Sequence, residues 1–171
     1  MDTNTGVRPR RKQANYLDIG TASAPSFQLL GTGFSELNES PSAQTASKRY
    51  INMASSTQSI TGYEPSWGFT ADQIRSQAAI DYICSIGEER KTGADAEADH
   101  VIVDLDKPAT EGSTTKFRAR KQRVAIAVSD FGDEDGDMTC EGDLLGVGDL
   151  VKGTFDTTTK TFTADGEAQE G

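Results

Sequence analysis

The residues able to do chemistry in this chain are few, and their spacing does not gather them. His100 is the one histidine. It opens a predicted strand, and the sequence identifies no cysteine or carboxylate partner for it, which predicts a surface or edge histidine rather than a base or a metal ligand. No serine lies in the G-x-S-x-G turn that exposes a nucleophile, and neither a P-loop nor a dinucleotide fingerprint is present. Cys84 and Cys140 stand far apart without a C-x-x-C. They predict free thiols in a reducing compartment, not a disulfide framework or zinc site. The densest polar run is residues 130–137, which can be tested as a calcium loop. Such a loop needs oxygen ligands at positions 1, 3 and 5, glycine at 6 and glutamate at 12. Counted from Asp133, Asp135 and Asp137 supply oxygens, but Met138 takes the glycine's place and Leu144 the glutamate's. Counted from Asp130, Glu141 falls at position 12 but Gly132 removes the ligand at 3. The run reads as a solvated acidic hairpin tip. No catalytic residue, metal or cofactor is predicted.

Composition narrows the class further. The 171 residues favour one domain with a real core, but only 35% are hydrophobic and the mean hydropathy is −0.55. Either the core is thin, as in a sandwich, or part of the chain does not pack within the monomer. The net charge of −10 argues against a protein held to nucleic acid by phosphate contacts. The charge is uneven. Residues 1–15 hold Arg8, Arg10, Arg11 and Lys12 against Asp2, net +3, which leaves −13 for the rest. No apolar run reaches the length of a membrane span, and the basic N-terminus lacks the apolar stretch of a secretion signal. The expectation is a soluble protein that stays where it is made.

The elements that must position these residues centre on residues 116–163. Val124, Ile126 and Val128 alternate with Ala125 and Ala127, the period of a half-buried strand with its β-branched side inward. The turn formers of 132–136 end that strand, and a return begins at Met138, with Met138, Cys140 and Leu144 or Leu145 inward. Gly142, Gly146 and Gly148 predict bulges or close backbone approach. A shorter hairpin over 151–163 sets Phe155 near Phe162. Upstream, strands are predicted at 27–30, 34–39, 59–69 and 100–106, with Trp67 as a core plug. The clear helix is 71–86. Thr70 and Gln73 have capping-box spacing, Ile74, Ala78, Ala79, Tyr82, Ile83 and Ile86 share one face, and Gly87 ends it. Ile80 and Cys84 fall on the opposite flank. Residues 40–58 are too long and polar for an ordinary connection and predict an extended arm or projecting hairpin whose partner is another chain. The sum is a mainly β protein, a β-sandwich or barrel of about seven or eight strands with one packed α-helix. A flexible basic arm at 1–15 precedes the single domain at 16–164, and 165–171 form a flexible C-terminus.

Several runs together resemble a known family. They are Phe117-Arg118-Ala119-Arg120, Val124 to Ser129, Gly142 to Asp149, Lys152 to Asp156 and Lys160-Thr161-Phe162, with Ile60 to Pro65 and Ile86 to Gly93 upstream. Their order and spacing are similar to the tail tube proteins, the major tail proteins of long-tailed phages and prophages of Gram-positive hosts. The resemblance spans residues 15–163. It implies a virion tail protein, assembled in the bacterial cytoplasm into homohexameric rings. Stacked rings would form a conduit around the tape-measure protein through which double-stranded DNA is later ejected. The tail terminator and distal tail proteins would be further partners, with no membrane involved. The resemblance also implies that each subunit lends four strands to an inner barrel.

On that reading Ala125, Ala127, Glu141 and Asp143 face the lumen with Arg123 and Lys121, the two cations neutralised by carboxylates across a strand or subunit boundary. Lys48, Arg49, Tyr50 and Ile51, with Arg8, Arg10, Arg11 and Lys12, are the candidates for contacts between rings. Val124, Ile126, Val128, Ile74, Tyr82, Ile83 and Trp67 form the core. The rival classes are another structural sandwich, such as a capsid decoration protein or an adhesin, and a carbohydrate-binding module. A decoration protein needs no long arm with a tail of opposite charge, and a carbohydrate module displays several exposed aromatics. An enzyme ranks last.

Overall fold

The computed structural model describes residues 6–166. The sheet is built on two long strands, β8 (Lys116–Glu134) and β9 (Asp137–Asp156). Asp135 and Gly136 join them, both at positive φ (53° and 94°), as a two-residue turn whose twist matches the strands requires. The acidic run is therefore mostly strand, not the loop expected over 132–136: Asp133 pairs with Met138 and Gly132 with Thr139. Around this hairpin stand β1 (Gln13–Asp18), β2 (Phe27–Leu29), β3 (Phe34–Ser40), β6 (Ser66–Asp72), β7 (Glu97–Pro108) and β10 (Thr161–Ala164). The strand order is β2-β1-β7-β8-β9-β6-β3, and β10 pairs with the far end of β9. β4 (Ala43–Lys48) and β5 (Thr57–Tyr63) form a separate two-stranded hairpin. Every pairing is antiparallel. Among the described residues the protein is mainly β with one α-helix, consistent with the expected sandwich. Ten strands among the described residues replace the seven or eight expected: β1, β4 within the 40–58 excursion, and the split of residues 59–69 into β5 and β6 at Glu64-Pro65 add strands, while the expected strands at 138–150 and 151–155 run on as the single β9.

The length of β8 and β9 lets one hairpin serve two apolar layers on opposite faces. One layer holds Leu17, Trp67, Phe69, Ile102, Val124, Ile126 and Leu144 under the helix, with Val128, Ile74 and Tyr82 partly buried against it. The other holds Tyr16, Phe27, Val101, Val103, Ala119 and Phe155, with Phe162 at its edge. Phe155 and Phe162 are cross-strand partners, as expected. Met138 differs from its inward assignment and is half exposed. It pairs with Asp133 near the hairpin tip, past the apolar layer that buries Cys140 and Leu144.

The helix, α1, spans Ala78–Glu89, seven residues later at its start than 71–86. Thr70 to Asp72 are taken by β6, where Trp67, Phe69 and Ala71 are buried at period two and pair with β9. Gln73 donates its backbone N–H to Met138 O (2.9 Å) and its side chain to Thr139 O (3.0 Å), so it extends the sheet and does not cap a helix. The later start turns the buried stripe to Ala79, Ile80, Ile83, Cys84 and Ile86, which places Ile80 and Cys84 in the core and leaves Ala78 exposed. Gly87 does not end the helix. A Cβ there would meet Val128 Cγ1 at 2.8 Å and Phe131 Cζ at 2.9 Å, so the glycine lets helix and sheet approach. Arg90 closes the helix in the left-handed region at φ 53°.

Candidate functional site

Four adjacent strands, β6, β3 and the stretches of β8 and β9 nearer their shared turn, carry the apolar layer on one face and leave the other largely bare, the second layer covering only the far ends of β8 and β9. Alternation makes this unavoidable: the residues between Val124, Ile126 and Leu144 point away from the helix. On the bare face Ala127 pairs directly with Asp143, and Asp143 with Gly68 on β6. Glu141 pairs with Asp130 and with Thr70, which in turn faces Glu36. A glycine at 68 is apt, because a Cβ would lie 3.3 Å from Asp143 Oδ1. The result is a shallow polar depression of about 280 Å³ with Glu36, Glu141 and Asp143 on its walls. Among the described residues none of these three carboxylates belongs to an ion pair. No group of three or more His, Cys, Asp or Glu among the described residues is arranged to hold a metal ion.

The structure thus brings Ala125, Ala127, Glu141 and Asp143 to one surface, beside Arg123. Arg123 Nε donates to Glu97 at 3.1 Å and its Nη1 to Asp99 at 3.3 Å, across the β7–β8 ladder where Asp99 is its register partner. Lys121 departs from the expected wall. It pairs with the buried Val101 and extends over the Phe162 ring, Nζ 5.0 Å from the centroid, so an aromatic face takes the place of the carboxylate.

The β4–β5 hairpin stands clear of the body, with Lys48, Arg49, Tyr50 and Ile51 all exposed. Lys48 lies over the Tyr50 ring, and Arg49 Nε donates to Met53 O at 3.2 Å. Two of the four N-terminal cations, Arg8 and Arg10, are held by their own subunit, while Arg11 and Lys12 are exposed. Arg8 forms a fork with Asp104 (2.6 Å) and Asp106 (2.7 Å), Arg10 donates to Gln13 O and Leu37 O, and Arg10–Lys12 make a single 3₁₀ turn into β1. Their carboxylate and carbonyl partners on β7 and β3 hold residues 8–13 on their own subunit. Residues 1–5 and 167–171 of the expected flexible ends lie outside the described residues.

His100 is buried, against the expected surface position. β7 is covered on both faces at this point, so its middle residue has no route to solvent. Its Nε2 lies 3.0 Å from Asn15 Oδ1, and burial, then the charge of Arg120, lowers its pKa to about 3. Trp67 fills the core as expected and donates its indole N–H to Glu39 Oε2 at 3.2 Å; Glu39 also receives the Arg120 fork. This cluster of Glu39, Trp67, His100 and Arg120 escaped sequence reasoning, since only strand register unites it. Cys84 and Cys140 are free and buried, lining one small apolar void, and burial pushes the Cys140 thiol up to about 12. Neither is poised as a nucleophile. No helix among the described residues is long and apolar enough to cross a membrane.

No protein-family model matches the chain, and no curated protein matches it. Among solved structures it is similar to a chain of the cryo-EM structure of the anti-feeding prophage baseplate, 6-fold symmetrised. That likeness has 8% identity and a TM-score of 0.48, covering 92% of this chain and 99% of that one.

Proposed function

We propose that this chain is a structural protein of a phage-type tail, that copies of it form hexameric rings, and that stacked rings make the tube through which DNA passes. The role is structural rather than catalytic. The observation that carries the reading is the bare face of β8, β9, β6 and β3: its middle is small and acidic, with Glu36, Glu141 and Asp143 in no ion pair among the described residues, and it is backed by a complete core. The exposed Leu145 and the ion-paired Arg123 adjoin that middle. A monomer gains nothing from leaving four strands uncovered, whereas a ring that places them inward acquires a smooth wall. Each cation that pairs with a phosphate adds affinity through counterion release, so a conduit is best lined by carboxylates, which repel DNA and let it slide. Tape-measure protein and tail-end proteins are the implied partners, and the virion is the implied location. The projecting hairpin supplies a reach between rings. Negative-stain electron microscopy of the purified chain tests this: tubes or stacked rings are expected, and a monodisperse monomer at all concentrations contradicts it.

A further inference from the structure

The hairpin has a tip and a base, and their surfaces are complementary. At the tip, Met53 N–H donates to Tyr50 O at 3.1 Å and closes a turn that leaves Ile51 fully exposed beside Lys48 and Arg49. At the base lies a cleft of about 480 Å³, walled by Pro41, Tyr63, Pro65 and Leu150; Arg120, whose charge Glu39 offsets in an ion pair, also lines it, which leaves Asp149 as its unpaired charge. The cleft is built by a distortion of β9. Between Lys121↔Val151 and Arg123↔Val147 the strand carries two extra residues, and Gly148 takes φ 74°. Gln122 Nε2 holds that bulge by donating to Gly148 O at 3.0 Å, and Gly146 N–H donates to Pro65 O at 2.9 Å. Tyr63 and Leu150 are left 59% and 43% exposed, an apolar lining without an apolar cover. Glu64, next to the cleft, and Asp149 belong to no ion pair among the described residues, and neither do Lys48 and Arg49.

We propose that the hairpin tip of one copy docks in the hairpin-base cleft of a second copy, Ile51 entering between Tyr63 and Leu150 while Arg49 meets Asp149. This rests on the reading of the chain as self-assembling, and names the acceptor of the hairpin. Tip and base cannot meet within one copy: six paired residues at about 3.4 Å each hold them roughly 20 Å apart. Where the exchange is not reciprocal the contact is heterologous, and a heterologous contact whose rotation does not close runs on from copy to copy, as a stack requires.

The test uses the full chain. Arg49→Glu and Asp149→Arg are each expected to raise the protein concentration needed for tube assembly by about tenfold, and the double variant to return it to within about threefold of the native chain. Ile51→Cys combined with Leu150→Cys, oxidised after assembly, is expected to give a ladder of covalent multimers on a non-reducing gel. Either single cysteine variant can give at most a dimer, and the native thiols are buried. Tubes that yield no ladder overturn the docking, whatever the charge variants do, while leaving the tube reading standing. A native chain that never assembles removes both.

Discussion

Trp67 and His100 meet edge to face in the core, ring centroids 4.9 Å apart and planes at 79°. The histidine is thereby shut away from water, and its Nδ1 has no hydrogen-bond partner among the described residues. Neutral in the fold, the ring gains a proton only on unfolding, from about pH 6.5 downward, until the folded-state value near 3 is reached. Across that window the unfolded chain binds more protons. Stability is therefore complete above about pH 6.5 and falls as pH drops, by on the order of a few kcal/mol at the acid end. Asp106, whose carboxyl the Arg8 fork holds below its usual value, loses stability in the same direction at lower pH. His100→Gln is expected to be less stable at pH 7 but to flatten the slope between pH 6 and 4, read from urea midpoints across pH. An unchanged slope would contradict the assignment.

Ile83 is 2% exposed on the inner side of α1. Ile83→Ala is expected to cost about 2–5 kcal/mol in chemical denaturation of the unassembled chain. A native-like midpoint with impaired assembly would move this face to a subunit interface.

Alternation along single strands was legible in the sequence; competition between elements was not. Val124, Ile126 and Leu144 inward, with Ala127, Glu141 and Asp143 outward, follows from period two alone. The helix start was misread because Thr70 and Gln73 have cap spacing, and only the partner strands β3 and β9 decide that those residues pair instead. His100 was misplaced for a similar reason. Its burial depends on Asn15, Trp67 and Arg120, from three other strands, and nothing local encodes that meeting. The hairpin was visible as a polar excursion too long for a loop, but its acceptor cleft was not. That cleft arises from a two-residue bulge, and the glycines at 146 and 148 gave only its address.

Excising residues 47–58 and closing Ala46 to Ser59 with an Asn-Gly turn keeps the base pairing and removes the tip. The excised chain is expected to fold, with the circular dichroism of a β protein, but to lose the ability to form long tubes as read by sedimentation. Tubes of normal length would end the case for the hairpin as the link between rings.

Glu141→Lys with Asp143→Lys reverses the bare face. Both side chains are exposed, so folding and assembly are expected to persist. Tubes of the double variant are expected to retain double-stranded DNA with an affinity that falls steeply with salt, while native tubes retain none. Equal behaviour of the two would separate these carboxylates from the DNA path.

Whether the uncovered face of β8, β9, β6 and β3 lines a channel is measured directly by cryo-electron microscopy of the assembled protein. A hexameric tube is expected, with Asp143 and Ala127 on the channel wall and α1 on the outside. A tube with α1 inward and Asp143 on its outer surface, or particles that never exceed a monomer, would contradict it.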